Sequence, residues 1–175
     1  MYKTIATLIL GAVLVKVCTQ TPAVNATNQN QTNNNNAMSD TNKIVKTDEE
    51  WKNILTPQQY NVIIKKGTEP AFSGTLLENK EKGMYVCAAC GNELFSSDMK
   101  FDSHCGWPSF DKEIAGGKII TKTDSSFGMA RTEIMCAKCG GHLGHLFDDG
   151  PTETGMRYCV NSLSLDFKAD STKTK

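Results

Sequence analysis

The chain has 175 residues, and its nineteen basic and nineteen acidic side chains leave no net charge at neutral pH. That balance excludes global steering toward nucleic acid, an anionic membrane or acidic substrates. Seven cysteines divide into Cys18 near the N-terminus, two Cys-x-x-Cys pairs, and the isolated Cys105 and Cys159.

Lys3 followed by the apolar run Ile5 to Val15 has the charge-then-hydrophobic order of a secretory leader and is too short to span a bilayer. Export to a periplasm or cell envelope is the expectation, with a leader over residues 1–26 cleaved after Ala26. The alternative is lipid attachment at Cys18, which would tether the chain to a membrane. Residues 27–46 are rich in Asn and Gln. They cannot bury enough surface to offset an ordering cost of about 1–2 kcal/mol per residue, so a disordered linker is predicted. The folded domain is expected over residues 47–168, with a flexible tail over 169–175.

Thr47-Asp48-Glu49-Glu50 fits a capping box, and Trp51, Ile54 and Leu55 then fall on one helical face. Thr56-Pro57-Gln58-Gln59 repeats the signal with proline at the first helical position; Tyr60, Ile63 and Ile64 form its stripe before Gly67. From Gly74 onward the pattern becomes short runs broken by Gly, Asn, Asp and Ser. Strands are predicted at Thr75 to Leu77, Met84 to Val86, Lys118 to Lys122, Met129 to Met135 and Met156 to Phe167. No helical pattern separates them, so the body is mainly β and its sheets antiparallel.

Cys87-Ala88-Ala89-Cys90-Gly91 and Cys136-Ala137-Lys138-Cys139-Gly140 are matching knuckles, each with a glycine free to take the positive φ of a tight turn. Four thiolates in two such pairs suit one tetrahedral, closed and therefore structural Zn2+. A pair of disulfides is the alternative in an exported protein. Alternation along a strand places Arg157, Cys159 and Asn161 on one face, with Tyr158 and Val160 on the other. An arginine beside a thiol favours the nucleophilic thiolate. His142 and His145 follow the second knuckle and are left free for hydrogen bonding or acid catalysis if four cysteines complete the metal shell. Trp107, next to Cys105, reads as the apolar wall of a small pocket.

Two other classes accommodate parts of this pattern. A Cys-His-Asn hydrolase would use Cys159, His145 and Asn161 but has no role for Cys105. A zinc-scaffolded binding module for protein or nucleic acid would need neither isolated cysteine.

Taken together, Cys87 to Gly91, Phe101-Asp102-Ser103, Cys105-Gly106-Trp107-Pro108-Ser109-Phe110, Cys136 to Phe147 and Arg157 to Ser162 closely resemble the methionine-R-sulfoxide reductases of the MsrB type. The resemblance runs from Asp48 to Phe167. It implies two antiparallel sheets in a β-tent (Mss4-like) fold with short N-terminal helices, and one structural Zn2+ on Cys87, Cys90, Cys136 and Cys139. It further implies Cys159 as nucleophile, forming a sulfenic acid, and Cys105 as the resolving cysteine of a disulfide recycled by a thioredoxin-like reductant. Trp107 would receive the substrate methyl group, with Phe147 also on the substrate side, and His142, His145, Asn161 and Arg157 would line the polar side. The implied substrate is oxidised methionine, free or in peptides and proteins, and the implied state is a monomer with no nucleic-acid partner. His104 departs from the family pattern, which commonly has glycine there.

Overall fold

The computed structural model describes residues 43–171. The leader with Cys18, residues 27–42 of the linker and residues 172–175 of the tail lie outside the described residues. Two helices open the described chain, α1 (Asp48–Ile54) and α2 (Pro57–Ile63), each begun by a complete capping box at Thr47 and Thr56. Trp51, Leu55 and Ile63 form a small cluster that Ile44 joins and that packs on Ala88, Ala89 and Cys139 of the knuckles. Ile54 departs from its expected place: the helix ends there, and the side chain is 54% exposed. No helix among the described residues is long and apolar enough to cross a membrane.

Nine strands follow: β1 (Gly83–Cys87), β2 (Glu93–Ser96), β3 (Lys100–Phe101), β4 (Ser109–Phe110), β5 (Ile119–Asp124), β6 (Arg131–Cys136), β7 (His142–Phe147), β8 (Arg157–Val160) and β9 (Leu165–Ala169). They form a three-stranded sheet, β2-β1-β9, and a six-stranded sheet, β3-β4-β8-β7-β6-β5. Every strand pair is antiparallel. Tyr85, Leu94, Phe95 and Leu165 of the small sheet meet Phe110, Ile134, Leu143 and Val160 of the large one in a single apolar core. Phe95 stacks on Phe110 with ring centroids 4.2 Å apart, and Tyr85 meets Phe110 edge-on.

Two expected strands are corrected. Thr75 to Leu77 forms turns, because Leu76 N–H bonds the Ser162 hydroxyl and Leu77 N–H bonds the Gly74 carbonyl instead of a strand partner. The run Met156 to Phe167 breaks at a 3-10 turn, Ser162–Ser164, where the chain leaves the large sheet and enters the small one. The Glu69 carboxylate takes the Ser162 and Leu163 amides at that turn, so they are not available to a ladder.

Candidate active site and metal centre

One register row across the large sheet assembles the chemistry. Ser109 lies opposite Cys159, Cys159 opposite His145, His145 opposite Glu133, and Glu133 opposite Lys122. Directly opposed residues share a face, so these side chains line up on the side away from the core. Phe147 opposes Arg157 two pairs further along the same two strands, on the same face. Tyr158 and Val160 point the other way, into the core cluster, as alternation predicted.

Cys159 Sγ and Cys105 Sγ are 3.7 Å apart. Two sulfurs so close share one negative charge, because each thiolate opposes the other. A hydrogen bond from Cys159 is the main cause drawing the Cys105 thiol down, to about 4, and the hydroxyls of Ser103 and Ser109 add to it against burial. The same pairing and burial push Cys159 up, while Arg157 draws it down. Cys159 lies directly across the strand pair from an imidazole, that of His145.

That imidazole is fixed. His145 Nε2 is 2.8 Å from Asp124 Oδ2, and Asp124 also binds the Arg131 guanidinium and Ser126. Those Ser126 bonds foremost, with His145 and Arg131, hold the Asp124 carboxyl well below the usual carboxylate range. His142 and His145 are three residues apart, yet their rings meet edge-on at 5.5 Å. A bulge makes this possible: Gly144 pairs with Ile134 and His142 with Met135, leaving Leu143 extra on β7 and returning His142 to His145's side. His142 Nδ1 bonds the buried Glu133 carboxylate, which Lys66 Nζ also holds, each at 2.8 Å. Burial lowers the His142 pKa despite that carboxylate, and its Nε2 has no partner.

Asn161 does not reach this face as an open polar group. Its amide donates to the Leu143 carbonyl and accepts from Glu69 N–H. The hydrolase arrangement, in which Asn161 would orient a histidine, is therefore absent; Asp124 orients His145 instead. Glu69, like Asp124 and Glu133, was missed by sequence reasoning. It is 3% exposed, its carboxylate accepts from Ser162 and Leu163 N–H, and its carbonyl accepts from Trp107 Nε1–H at 3.1 Å. It thus locks the Trp107 loop to the segment just after Cys159. A lone acidic residue before a proline carries no mark of such burial, so local pattern could not reveal it.

Arg157 bonds Asp149 through Nε and Nη2 and lies over the Phe147 ring, 4.3 Å from its centroid. Arg157, Asp149, Pro151, Phe101, Asp102, Ser103 and Cys105 line a cavity of about 440 Å³ that opens onto the Cys105 side of the pair. His104 adopts a left-handed φ of 54°, a conformation glycine takes without strain, and its N–H bonds Asp102 Oδ1.

The knuckles close on each other across the two sheets. Cys87 ends β1 and Cys136 ends β6; Gly91 and Gly140, at φ 68° and 73°, return their N–H groups to the Cys87 and Cys136 carbonyls. The four Sγ atoms lie within 4.8 Å of one another, with Cys87 to Cys139 at 3.7 Å and Cys90 to Cys136 at 3.6 Å. A tetrahedron of zinc–sulfur bonds of about 2.3 Å has edges of about 3.8 Å, whereas a disulfide needs about 2 Å. The donor set fits a metal. These four cysteines would hold the ion with no position left for substrate, so it would supply structure and no chemistry.

A SelR domain model matches residues 55–169. The chain is 58% identical over 127 residues to the peptide methionine sulfoxide reductase MsrB of Methanosarcina barkeri, covering 73% of this chain and 89% of that protein. It is 57% identical over 128 residues to the protein of the same name from Leptospira interrogans, covering 73% and 98%. Relatives this similar over nearly their whole length, together with the domain match, place the chain in the SelR-domain family of MsrB-type oxidoreductases.

Proposed function

We propose that the chain reduces methionine sulfoxide to methionine, acting on the R epimer at Cys159 and regenerating itself through a Cys105–Cys159 disulfide. Family membership supports the coarse reaction. The observation that carries the finer reading is the pair of sulfurs at 3.7 Å, one of them directly across from His145.

In this reading the sulfoxide methyl group rests against Trp107 and Phe147, and the oxygen faces His145. The Cys159 sulfur attacks the sulfoxide sulfur and its oxygen is protonated, with His145 as acid and Asp124 stabilising the imidazolium. Methionine leaves and Cys159 becomes a sulfenic acid. Cys105 condenses with it, releasing water, and a thioredoxin-like dithiol reduces the disulfide. The substrate is oxidised methionine, free or in proteins of an exported compartment, and the enzyme acts as a monomer, tethered to the envelope only if Cys18 is acylated.

Rapid-quench measurement of methionine released per enzyme tests this reading. Cys159→Ser should release none, whereas Cys105→Ser should release about one equivalent and then stall with thioredoxin as donor. Purified epimers should give reduction of R and little of S. Methionine release by Cys159→Ser, or equal rates on both epimers, would overturn it.

A further inference from the structure

Two serine hydroxyls converge on the Cys105 sulfur. Ser103 Oγ–H donates to it at 2.9 Å, and Ser109 Oγ lies 3.6 Å away. The hydroxyls are 2.7 Å apart, and Ser109, 1% exposed, sits on the strand position opposite Cys159. A hydroxyl has one proton to donate. Ser109 has two acceptors within reach, the Ser103 oxygen at 2.7 Å and the Trp107 carbonyl at 3.3 Å; with Ser103 donating to sulfur, the shorter contact takes the Ser109 proton and gives a directed chain from Ser109 through Ser103 to Cys105. Such a chain stabilises a negative sulfur. A protonated Cys105 has the Trp107 carbonyl, 3.5 Å away, as its acceptor. The charges around it oppose one another: Arg157 of β8 favours the anion, while Asp102 and Asp149, lining the same cavity, disfavour it, and His104 is turned to Asp102.

We propose that Ser103, backed by Ser109, is a catalytic residue of the second half-reaction, holding Cys105 as a thiolate at the moment the Cys159 sulfenic acid must be resolved. The proposal rests on the roles assigned above to the two cysteines.

The balance of the two steps shows why the hydroxyls matter then. In the first step the thiol of Cys159 and the sulfoxide become sulfenic acid and thioether: one sulfur–oxygen bond breaks and another forms. Cys159 loses two electrons, the substrate sulfur gains them, and the Cys159 proton ends on oxygen. The charge on Cys105 does not change. In the second step the Cys105 thiolate attacks the Cys159 sulfur, a disulfide forms, and hydroxide departs to become water with a solvent proton. The Cys159 thiol that supported the Cys105 anion has by then been consumed. Ser103, backed by Ser109, remains as its hydrogen-bond donor, and burial works against it. A resolving thiol serves best with a pKa near the ambient pH. Each unit by which it rises above that costs about tenfold in thiolate and returns about threefold in nucleophilicity, a net loss of about threefold.

The test is a single turnover on a peptide containing methionine sulfoxide, without reductant and with dimedone present to trap sulfenic acid. Mass spectrometry then gives the ratio of trapped adduct to disulfide, whichever step is slower. In Ser103→Ala the trapped share should rise about three- to tenfold at neutral pH and return toward the wild-type ratio at about pH 9.5, where an ordinary thiol ionises. Ser103→Thr, which keeps the hydroxyl, should partition like the wild type. A wild-type ratio in Ser103→Ala at neutral pH, or excess trapping independent of pH, would overturn the proposal. Methionine counted in the same samples separates the two levels: a wild type that releases none refutes the proposed function and the Ser103 role with it, whereas normal release with wild-type partitioning in Ser103→Ala refutes the Ser103 role alone.

Discussion

Gly144 lies so close to Cys159 that a methyl group on its α-carbon would sit 1.9 Å from the Cys159 carbonyl oxygen. The obstacle is backbone, which no rotamer change can relieve. Gly144→Ala should therefore push β7 and β8 apart at the place where His145 faces Cys159. Catalytic efficiency should fall by tenfold or more while metal retention at the four knuckle cysteines, which lie elsewhere, should match the wild type. Kinetics beside zinc analysis checks this, and wild-type kinetics would show that the strands need not meet so closely.

Glu69 joins the Trp107 loop to the turn after Cys159 through four hydrogen bonds, two from its main chain and two from its carboxylate, so losing the carboxylate should loosen the hold on the Trp107 loop. Glu69→Ala strands two amide donors, at about 1–3 kcal/mol each if they stay dry. The expected outcome is a KM raised more than kcat is lowered, and a red shift of Trp107 fluorescence in a Trp51→Phe background. Unchanged emission with an unchanged KM would reduce Glu69 to a packing role.

The pair formed by Lys66 and Glu133 has a defined pH signature. Burial raises the Glu133 carboxyl, but Lys66 and His142 together bring it below its ordinary value. A depressed carboxylate stabilises the fold above its unfolded pKa of about 4.3 and loses that contribution as pH falls through the folded value. Lys66→Met should thus cost about 1 kcal/mol at neutral pH, as the lysine is half exposed, and the deficit should close in acid. Urea unfolding of both proteins across pH tests it; protonation of the knuckle cysteines affects both alike and cancels in the difference.

Removing one knuckle ligand should unfasten β1 from β6. A structural zinc site of this kind contributes about 10–16 kcal/mol. Cys136→Ser, or chelation of the wild type, should give a protein with no cooperative unfolding transition. A metal-free chain that melts normally would contradict the assignment.

Local signals were enough for the helices and the four-cysteine cluster. The capping boxes at Thr47 and Thr56, and the matching glycines after Cys90 and Cys139, each act within five residues, so the sequence shows them directly. Alternation also placed Arg157 and Cys159 on one face. The two-residue strands β3 and β4 were invisible, because they exist only through pairing with partners far along the chain. Asn161 was assigned to the face of Cys159 by alternation and to the polar side of the pocket by the family resemblance, whereas the strand ends at Val160 and its amide bonds Leu143 and Glu69. Asp124 and Glu133, which hold the two histidines, lie nine and more residues from them in sequence and become neighbours only in the register of the sheet.

The row Ser109, Cys159, His145, Glu133 and Lys122 takes one side chain from each of five strands. Such a site answers differently to the two kinds of genetic change. A substitution alters one group and leaves the rest facing outward. A single-residue insertion or deletion within β7 or β8 would turn every later side chain of that strand to the opposite face, sending His145 or Cys159 into the core. Length variation in this lineage should therefore collect in the connections, such as residues 148–156 between those strands, while the strands themselves keep a fixed count.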